Sequence, residues 1–302
     1  EPPWLCGQSV KRIEKRSNSN CMRYREFRVA PWLAKYVECF WVLESGAVRH
    51  AVAPERLLPD GCVELMLNFG DLFCEYTHAN GGVLQPRRYV AGQMTRPVLV
   101  APTGVVQLLG LRFVPGGTLP FFPTPPSEFT DRITPLTDLA PALDRALSER
   151  PFDVRTMEER LPLIESILQR HIRAKTEKGA SVQHAVTRLI KHSGQISVDE
   201  LAADLGISGR QLERRFLSEV GLGPKLLSRI LRFQQVFRAV ERADANWAEI
   251  AAACGYYDQA HLIRDFRQFA GQTPAILFDQ FTRFTEVFTR KQRMSDFYNT
   301  AD

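Results

Sequence analysis

Residues 255–274 read GYYDQAHLIRDFRQFAGQTP. Asp258 stands where a helix N-cap belongs. Leu262 and Phe266, four apart, bury one side of a short helix, and Phe269 extends that side. Gly271 and Pro274 close the stretch. The other side of so small a helix carries Gln259, His261, Arg264 and Arg267. A second stretch, GISGRQLERRFLSEVGLGP at 206–224, repeats the design. Leu212 matches Leu262, Arg214 matches Arg264, Phe216 matches Phe266, Gly221 matches Gly271 and Pro224 matches Pro274, each pair 50 positions apart.

The segments before these helices match as well, at a separation of 49: Ser197 with Asn246, Glu200 with Glu249, Leu201 with Ile250, Ala202 with Ala251 and Gly206 with Gly255. One extra residue in the Tyr256-Tyr257 turn accounts for the difference. In each unit a Ser or Asn caps a first helix, with a glutamate three positions on. A small alanine lets a second helix cross closely, and a glycine ends the first helix. Ser208 or Asp258 then caps the second helix. This pattern predicts a helix-turn-helix, twice.

The second helix of each unit must show one side to something. In the first unit that side carries Arg210, Gln211, Glu213 and Arg214, and in the second Gln259, His261, Ile263 and Arg264. Arginine pairs bidentately with guanine and glutamine with adenine, while Ser208 at a helix N-terminus suits a phosphate. Between the units, LLSRILRFQQVFRAVERA at 226–243 is apolar at helical intervals. As a rigid helix it spans about 27 Å at about 1.5 Å per residue. That length can hold two recognition helices roughly 34 Å apart, one turn of B-DNA. Arg229 and Arg232 on this linking helix are candidate phosphate contacts, and Arg267 extends the second face.

The combination ISVDELAADLGIS-x-x-x-L-x-R-x-F, a linking helix, then I-A-x-x-x-GY…L-x-R-x-F…G-x-TP resembles the DNA-binding domain of AraC/XylS-type bacterial transcription regulators, over about 185–278. The resemblance implies a monomeric two-headed binder of adjacent major-groove segments. It places base-reading positions at Arg210, Glu213 and Arg214, and at Gln259, Ala260, His261, Ile263 and Arg264. In one departure, Leu277-Phe278 stands where the family often carries an arginine.

The rest of the chain fits a second domain, as 302 residues lead one to expect. From about 36 to 130 the signals are strands and turns. In LLPDGCVELMLNFGD a Pro-Asp-Gly turn precedes an alternating run, with Val63, Leu65, Leu67 and Phe69 on one face and Cys62, Glu64, Met66 and Asn68 on the other. Several such strands predict an antiparallel β-barrel or sandwich with flanking helices, the period turning helical over about 136–172. The expected division is a disordered extension at 1–21, a β-rich sensor or dimerisation domain at 22–173, a polar linker at 174–181, the all-α double helix-turn-helix at 182–280 and a tail at 281–302. MRYREF…YVECFWVLE…LLPDGCVEL…RFVPGG is also similar to amino-terminal domains fused to some AraC/XylS-type regulators, which implies a cupin-like fold that binds an effector or dimerises.

Composition narrows the function classes. A net charge of +5 is compatible with nucleic acid without being a basic tail. No apolar run approaches the roughly 18 residues of a membrane span, and the first twenty residues lack a signal-peptide core, so the expected compartment is the cytoplasm, away from membranes. Six cysteines stand without any C-x-x-C pair, and only His50 and His78 fall in the β region, so no metal or other cofactor is expected. Glu64 and Arg112 each stand in an apolar strand. They either face solvent or, pointing inward, need partners that a polar effector would supply, with Trp41 lining the same cavity. The reading is a DNA-binding regulator without catalytic residues. Its expected partners are double-stranded DNA, RNA polymerase, a small-molecule effector and a second copy through the N-terminal domain. The rivals are a cupin-type enzyme, a repair protein that accepts alkyl groups on Cys62, and an architectural or RNA-binding module.

Overall fold

The computed structural model describes residues 11–13, 22–46, 53–77, 80–154, 156–173, 180–240 and 246–279. Strands β1 (Lys11–Ile13), β2 (Arg23–Phe27), β3 (Val37–Ser45), β4 (Glu55–Leu57), β5 (Val63–Asn68), β6 (Phe73–Thr77), β7 (Asn80–Leu84), β8 (Arg88–Ala91), β9 (Val98–Pro102), β10 (Val106–Phe113) and β11 (Ile133–Pro135) form two antiparallel sheets. The larger has the order β1-β2-β3-β10-β5-β8-β11 and the smaller β4-β9-β6-β7. The sheets are not closed into a barrel, so of the two expected forms the structure takes the open, layered one. Within the expected disordered extension, Lys11–Ile13 pairs with β2 as an edge strand, and the remainder lies outside the described residues.

The alternation read in β5 sets the layers. Val63, Leu65 and Leu67 join Phe40, Val42, Leu109, Leu111 and Phe113 in a core shared with helices α1 (Leu136–Leu139), α2 (Pro141–Ser148) and α4 (Met157–His171), the short α3 (Arg150–Asp153) linking the last two. Met66 on the opposite face joins Tyr24, Trp41, Leu43, Tyr89 and Leu108, and meets Phe73 and Val100 of the smaller sheet. Both faces of the large sheet are therefore covered, by helices on one side and strands on the other. Trp41 is opposite Gly110 in register, and a Cβ there would stand 2.2 Å from the indole ring. Only glycine leaves room for that ring to lie flat across the strand.

After residues 174–179, which lie outside the described set, everything is helical: α5 (Ala180–Lys191), α6 (Val198–Asp204), α7 (Gly209–Glu219), α8 (Pro224–Val240), α9 (Trp247–Ala253), α10 (Gln259–Ala270) and α11 (Pro274–Asp279). Ser197 and Ser208 cap α6 and α7 through capping boxes, and Asn246 and Asp258 cap α9 and α10. Gly206 and Gly255 turn the chain between paired helices at φ +61° and +76°, a region that disfavours side chains. Leu212, Phe216, Leu262 and Phe266 are fully buried. Removing one of these phenylalanine rings would cost about 3–5 kcal/mol.

Glu38 on β3 keeps one buried carboxylate oxygen without a hydrogen-bond partner. Burial raises its pKa from 4.5 to about 7, against the opposing pull of Arg112. In that window the folded chain holds a proton that the unfolded chain releases, so stability falls as pH rises through it. Glu38→Gln is expected to flatten this part of the stability profile, read as urea midpoints at pH 5 and 7.5. An unchanged slope would contradict the assignment.

Candidate nucleic-acid interface

The two helix-turn-helix units hold their second helices, α7 and α10, by the same means. Each buries the Leu and Phe four apart and leaves the opposite face in solvent. On α7 that face exposes Arg210, Gln211, Glu213 and Arg214. On α10 it exposes Gln259, Ala260, Arg264 and Arg267, with His261 and Ile263 half-buried at its edge. His261 meets the Tyr256 ring edge-on, 5.2 Å between centroids, and Ile263 packs against the second unit's core. Among the described residues, no ion pair or hydrogen bond engages the guanidinium groups of Arg210, Arg214, Arg264 or Arg267. Four cations without internal partners on two matched faces suit a polyanion.

Some expected site residues have internal duties. Ser208 and Gln211 bind each other: the Gln211 N–H donates to Ser208 Oγ at 3.3 Å, and the Ser208 N–H donates to Gln211 Oε1 at 3.0 Å. The Gln211 carbonyl is thus occupied while its amide group stays available. Arg229, read from sequence as a phosphate contact, donates twice to Asp265 Oδ1, at 3.1 and 2.6 Å, and once to Gln268 Oε1 at 2.6 Å. Arg232 donates to the Gly194 carbonyl at 3.4 Å. Both arginines brace the linking helix α8 against its neighbours.

The three remaining candidates come together in the N-terminal domain. Arg112 and Glu64 face each other across β10 and β5. Glu64 Oε1 accepts from Arg112 Nε at 2.9 Å and from Trp41 Nε1 at 3.0 Å, and Arg112 Nη2 stands 2.9 Å from the same oxygen as an ion pair. Burial pulls the Arg112 guanidinium down, but the Glu64 carboxylate outweighs it and holds the group well above its ordinary value. Of the inward and solvent-facing readings, the inward one holds: Arg112 is 2% exposed. Trp41 and Glu64 line a cavity of about 90 Å³ between the two sheets, while Arg112 stands behind its wall. His50 and His78 lie outside the described residues. The Cys62 thiol is 4% exposed, and burial followed by the Asp60 carboxylate pushes its pKa well up. A thiol so placed is a poor nucleophile.

Sequence reasoning missed how the N-terminal domain meets the reader. Leu58 packs into the core of the second unit and Cys62 into that of the first. Between them, Gln234 of α8 donates to the Pro59 carbonyl, and Leu227 lies against Gly61. A second contact runs from Thr130 Oγ1 to the Gly221 carbonyl at 3.1 Å. Gln93 joins both contact segments, donating from Nε2 to the Gly61 carbonyl at 2.8 Å and accepting at its own carbonyl from the Asp131 N–H at 2.9 Å. The polar run at 174–181 suggested two separate bodies. The clue to their contact was LLPDGC itself, whose apolar flanks exceed what a surface turn requires.

Residues 201–280 match a family described as a helix-turn-helix domain, of the AraC type, and residues 25–135 match a domain of unknown function (DUF6597). The chain thus carries an AraC-type helix-turn-helix domain, of the kind found in DNA-binding transcription regulators, behind a β-rich domain. Among solved structures, the DNA-binding domain of the global transcriptional factor AdpA, in complex with a target DNA, is 29% identical, with 33% of this chain and 92% of that one covered and a TM-score of 0.31. ToxT from Vibrio cholerae is 9% identical over 79% of this chain and 98% of its own, TM-score 0.42. The AraC-like transcriptional activator CuxR is 14% identical over 77% and 86%, TM-score 0.28. No curated protein matches the chain. Among the described residues no helix is long and apolar enough to cross a membrane.

The geometry separates two kinds of arginine. Arg229→Ala leaves Asp265, 1% exposed, without its cation, and is expected to cost about 2–3 kcal/mol in chemical denaturation, less than a fully buried pair because Arg229 is 26% exposed. Arg214→Ala and Arg264→Ala are expected to stay within about 0.5 kcal/mol of the parent in stability. Equal stability losses in all three would show that the exposed arginines also brace the fold.

Proposed function

We propose that the chain reads two adjacent major-groove segments of double-stranded DNA with α7 and α10, and that the N-terminal domain biases this reading. One observation carries the proposal: matched capped helices, 50 positions apart in sequence, present Arg210 and Arg214 on one and Arg264 and Arg267 on the other, unpaired among the described residues, and one buried helix joins them. Arg210, Glu213 and Arg214 read one segment. Gln259, Ala260, His261, Ile263 and Arg264 read the next, with Arg267 placed for phosphate. The Ser208 and Asp258 caps present helix N-termini to the backbone. Recruitment of RNA polymerase, a cytoplasmic setting and a second copy paired through the N-terminal domain belong to the same reading. So does a role without chemistry of its own.

The N-terminal bias has a physical route. Leu57, Leu58 and Asp60 line the cavity between the sheets, and so do Asp131 and Arg132. These residues belong to, or adjoin, the segments that touch α8 and Gly221. A molecule in the cavity therefore presses on residues that continue into the reader. Coupling of this kind is typically about 1–3 kcal/mol.

A footprint of the full chain on a selected site is expected to span about 20 base pairs, asymmetrically, with two reading segments about 10 base pairs apart. Arg214→Ala and Arg264→Ala should each relax preference in a different half, by about 1–3 kcal/mol per lost base contact. A single contiguous segment of about 5 base pairs would exclude the two-headed reading. Leu58→Asp, at a residue buried in the second unit's core and not on either reading face, is expected to shift site affinity by about fivefold or more. An unchanged affinity would remove the Leu57–Cys62 segment from any role in control.

A further inference from the structure

The chemistry of the inter-sheet cavity narrows what it can hold. Its walls carry three aromatic side chains, Trp41, Phe73 and Tyr89, each less than 5% exposed. The polar ends of two of these rings are already taken: Trp41 Nε1 donates to Glu64, and the Tyr89 hydroxyl donates to Gln85 Oε1 at 2.7 Å. What the cavity's rings can present to a ligand is π surface, with Trp41 also stacked on Tyr24 at 5.9 Å between centroids.

The carboxylates are the reverse case. Every hydrogen bond to Glu64 falls on Oε1, and Oε2 has no partner among the described residues. Glu75 receives one long contact, from Gln85 Nε2 to Oε2 at 3.4 Å, and its Oε1 likewise has none. Both residues line the cavity, as does Asp60. On the opposite side of the charge balance, Arg112 is bound by Glu64 and does not line the cavity. Arg132, the one lining cation among the described residues, is exposed. An anion entering here would sit among carboxylates with no buried donor of positive charge. A neutral apolar molecule would leave two carboxylate oxygens desolvated and unpaired. A cation satisfies both demands, pairing with the free oxygens while the ring faces attract it through their quadrupoles.

We propose that this cavity binds an organic cation, a protonated amine or quaternary ammonium carried on an apolar or aromatic body. This deepens the sensor half of the proposed function and rests on it for any effect on DNA reading. Binding itself does not depend on that reading. The ammonium group sits between Glu64 and Glu75, and the apolar body lies against Trp41 and Tyr89. Because Asp60 and Leu58 form part of the same wall, occupancy is felt at the segment that enters the reader.

The test is isothermal titration of the full chain, without DNA, at pH 7 and moderate salt. The probes are benzylammonium, benzyltrimethylammonium, benzyl alcohol and phenylacetate. Either cation is expected to bind at least about tenfold more tightly than benzyl alcohol, with phenylacetate weakest. Glu75→Gln removes one free carboxylate without touching the Arg112 ion pair. It is expected to keep the parent melting temperature and to weaken the cations about fivefold or more, leaving benzyl alcohol unchanged. Glu64→Gln should weaken the cations as well, but it also strips Arg112 of its partner, so Glu75→Gln decides where that variant fails to fold. Phenylacetate or benzyl alcohol binding as tightly as the cations would overturn the proposal, and so would the absence of saturable heat with both cations. Since no DNA is present, either failure leaves the two-headed reader standing, and a failed footprint leaves this result standing.

Discussion

The bond between Arg229 and Asp265 fixes the geometry on which the reader depends. Asp265 sits on α10 with its side chain 1% exposed, and a carboxyl group so buried is stable only with a partner in contact. Arg229 of α8 supplies that contact and lays its guanidinium 5.1 Å from the Phe269 ring centroid. The pair sets the rotation of the second recognition helix about the linking helix, and a non-directional apolar interface alone would leave that rotation loose. Around it, Phe233 packs on Phe266 and Phe269, with centroids 4.9 and 5.4 Å apart. Leu227 and Leu231 reach instead into the core of the first unit. Helix α8 is thus packed into both units, and Gln234 and Leu227 give it a third contact with the N-terminal domain. A helix held on three sides behaves as a rod, which is what two faces at a fixed spacing on DNA demand.

Much of this was legible in the sequence because the signals were local. Capping residues act on N–H groups two or three positions away, a leucine and a phenylalanine four apart share a face, and Gly206 and Gly255 mark left-handed turns. All three act over less than two helical turns, so the double unit could be read without knowing what it packs against. The alternation of β5 was equally local: Val63, Leu65 and Leu67 go to one core and Met66 to the other, while Cys62 leaves for the reader.

The remainder depended on partners distant in sequence. Arg229 looked like a free cation because Asp265 lies 36 positions on. Glu64 and Arg112 are 48 positions apart, and their strands alone left the inward and outward readings open. The choice between barrel and open sheets turned on how β4-β9-β6-β7 closes over the larger sheet, which no single strand encodes. The segment from Leu57 to Cys62 was read as a turn, and its proline, aspartate and glycine do make one. That the turn also fills a gap in another domain's core is a fact of shape complementarity with α8. What the sequence did carry was an apolar residue, Leu58, at a place where a surface turn has no use for it.

The central claim is that one rigid helix holds two reading heads in fixed register on DNA. Its most direct test is the affinity of the full chain for a selected site and for versions with 5 or 10 base pairs inserted between the two reading segments. A 17-residue rod, about 26 Å at about 1.5 Å per residue, cannot follow a half-site moved by another turn of about 34 Å. The account therefore predicts that both insertions reduce affinity to that of a single half-site. Recovery of full affinity with the 10-base-pair insertion would contradict it, since only heads on a flexible tether can follow the displaced segment to the same face of the duplex.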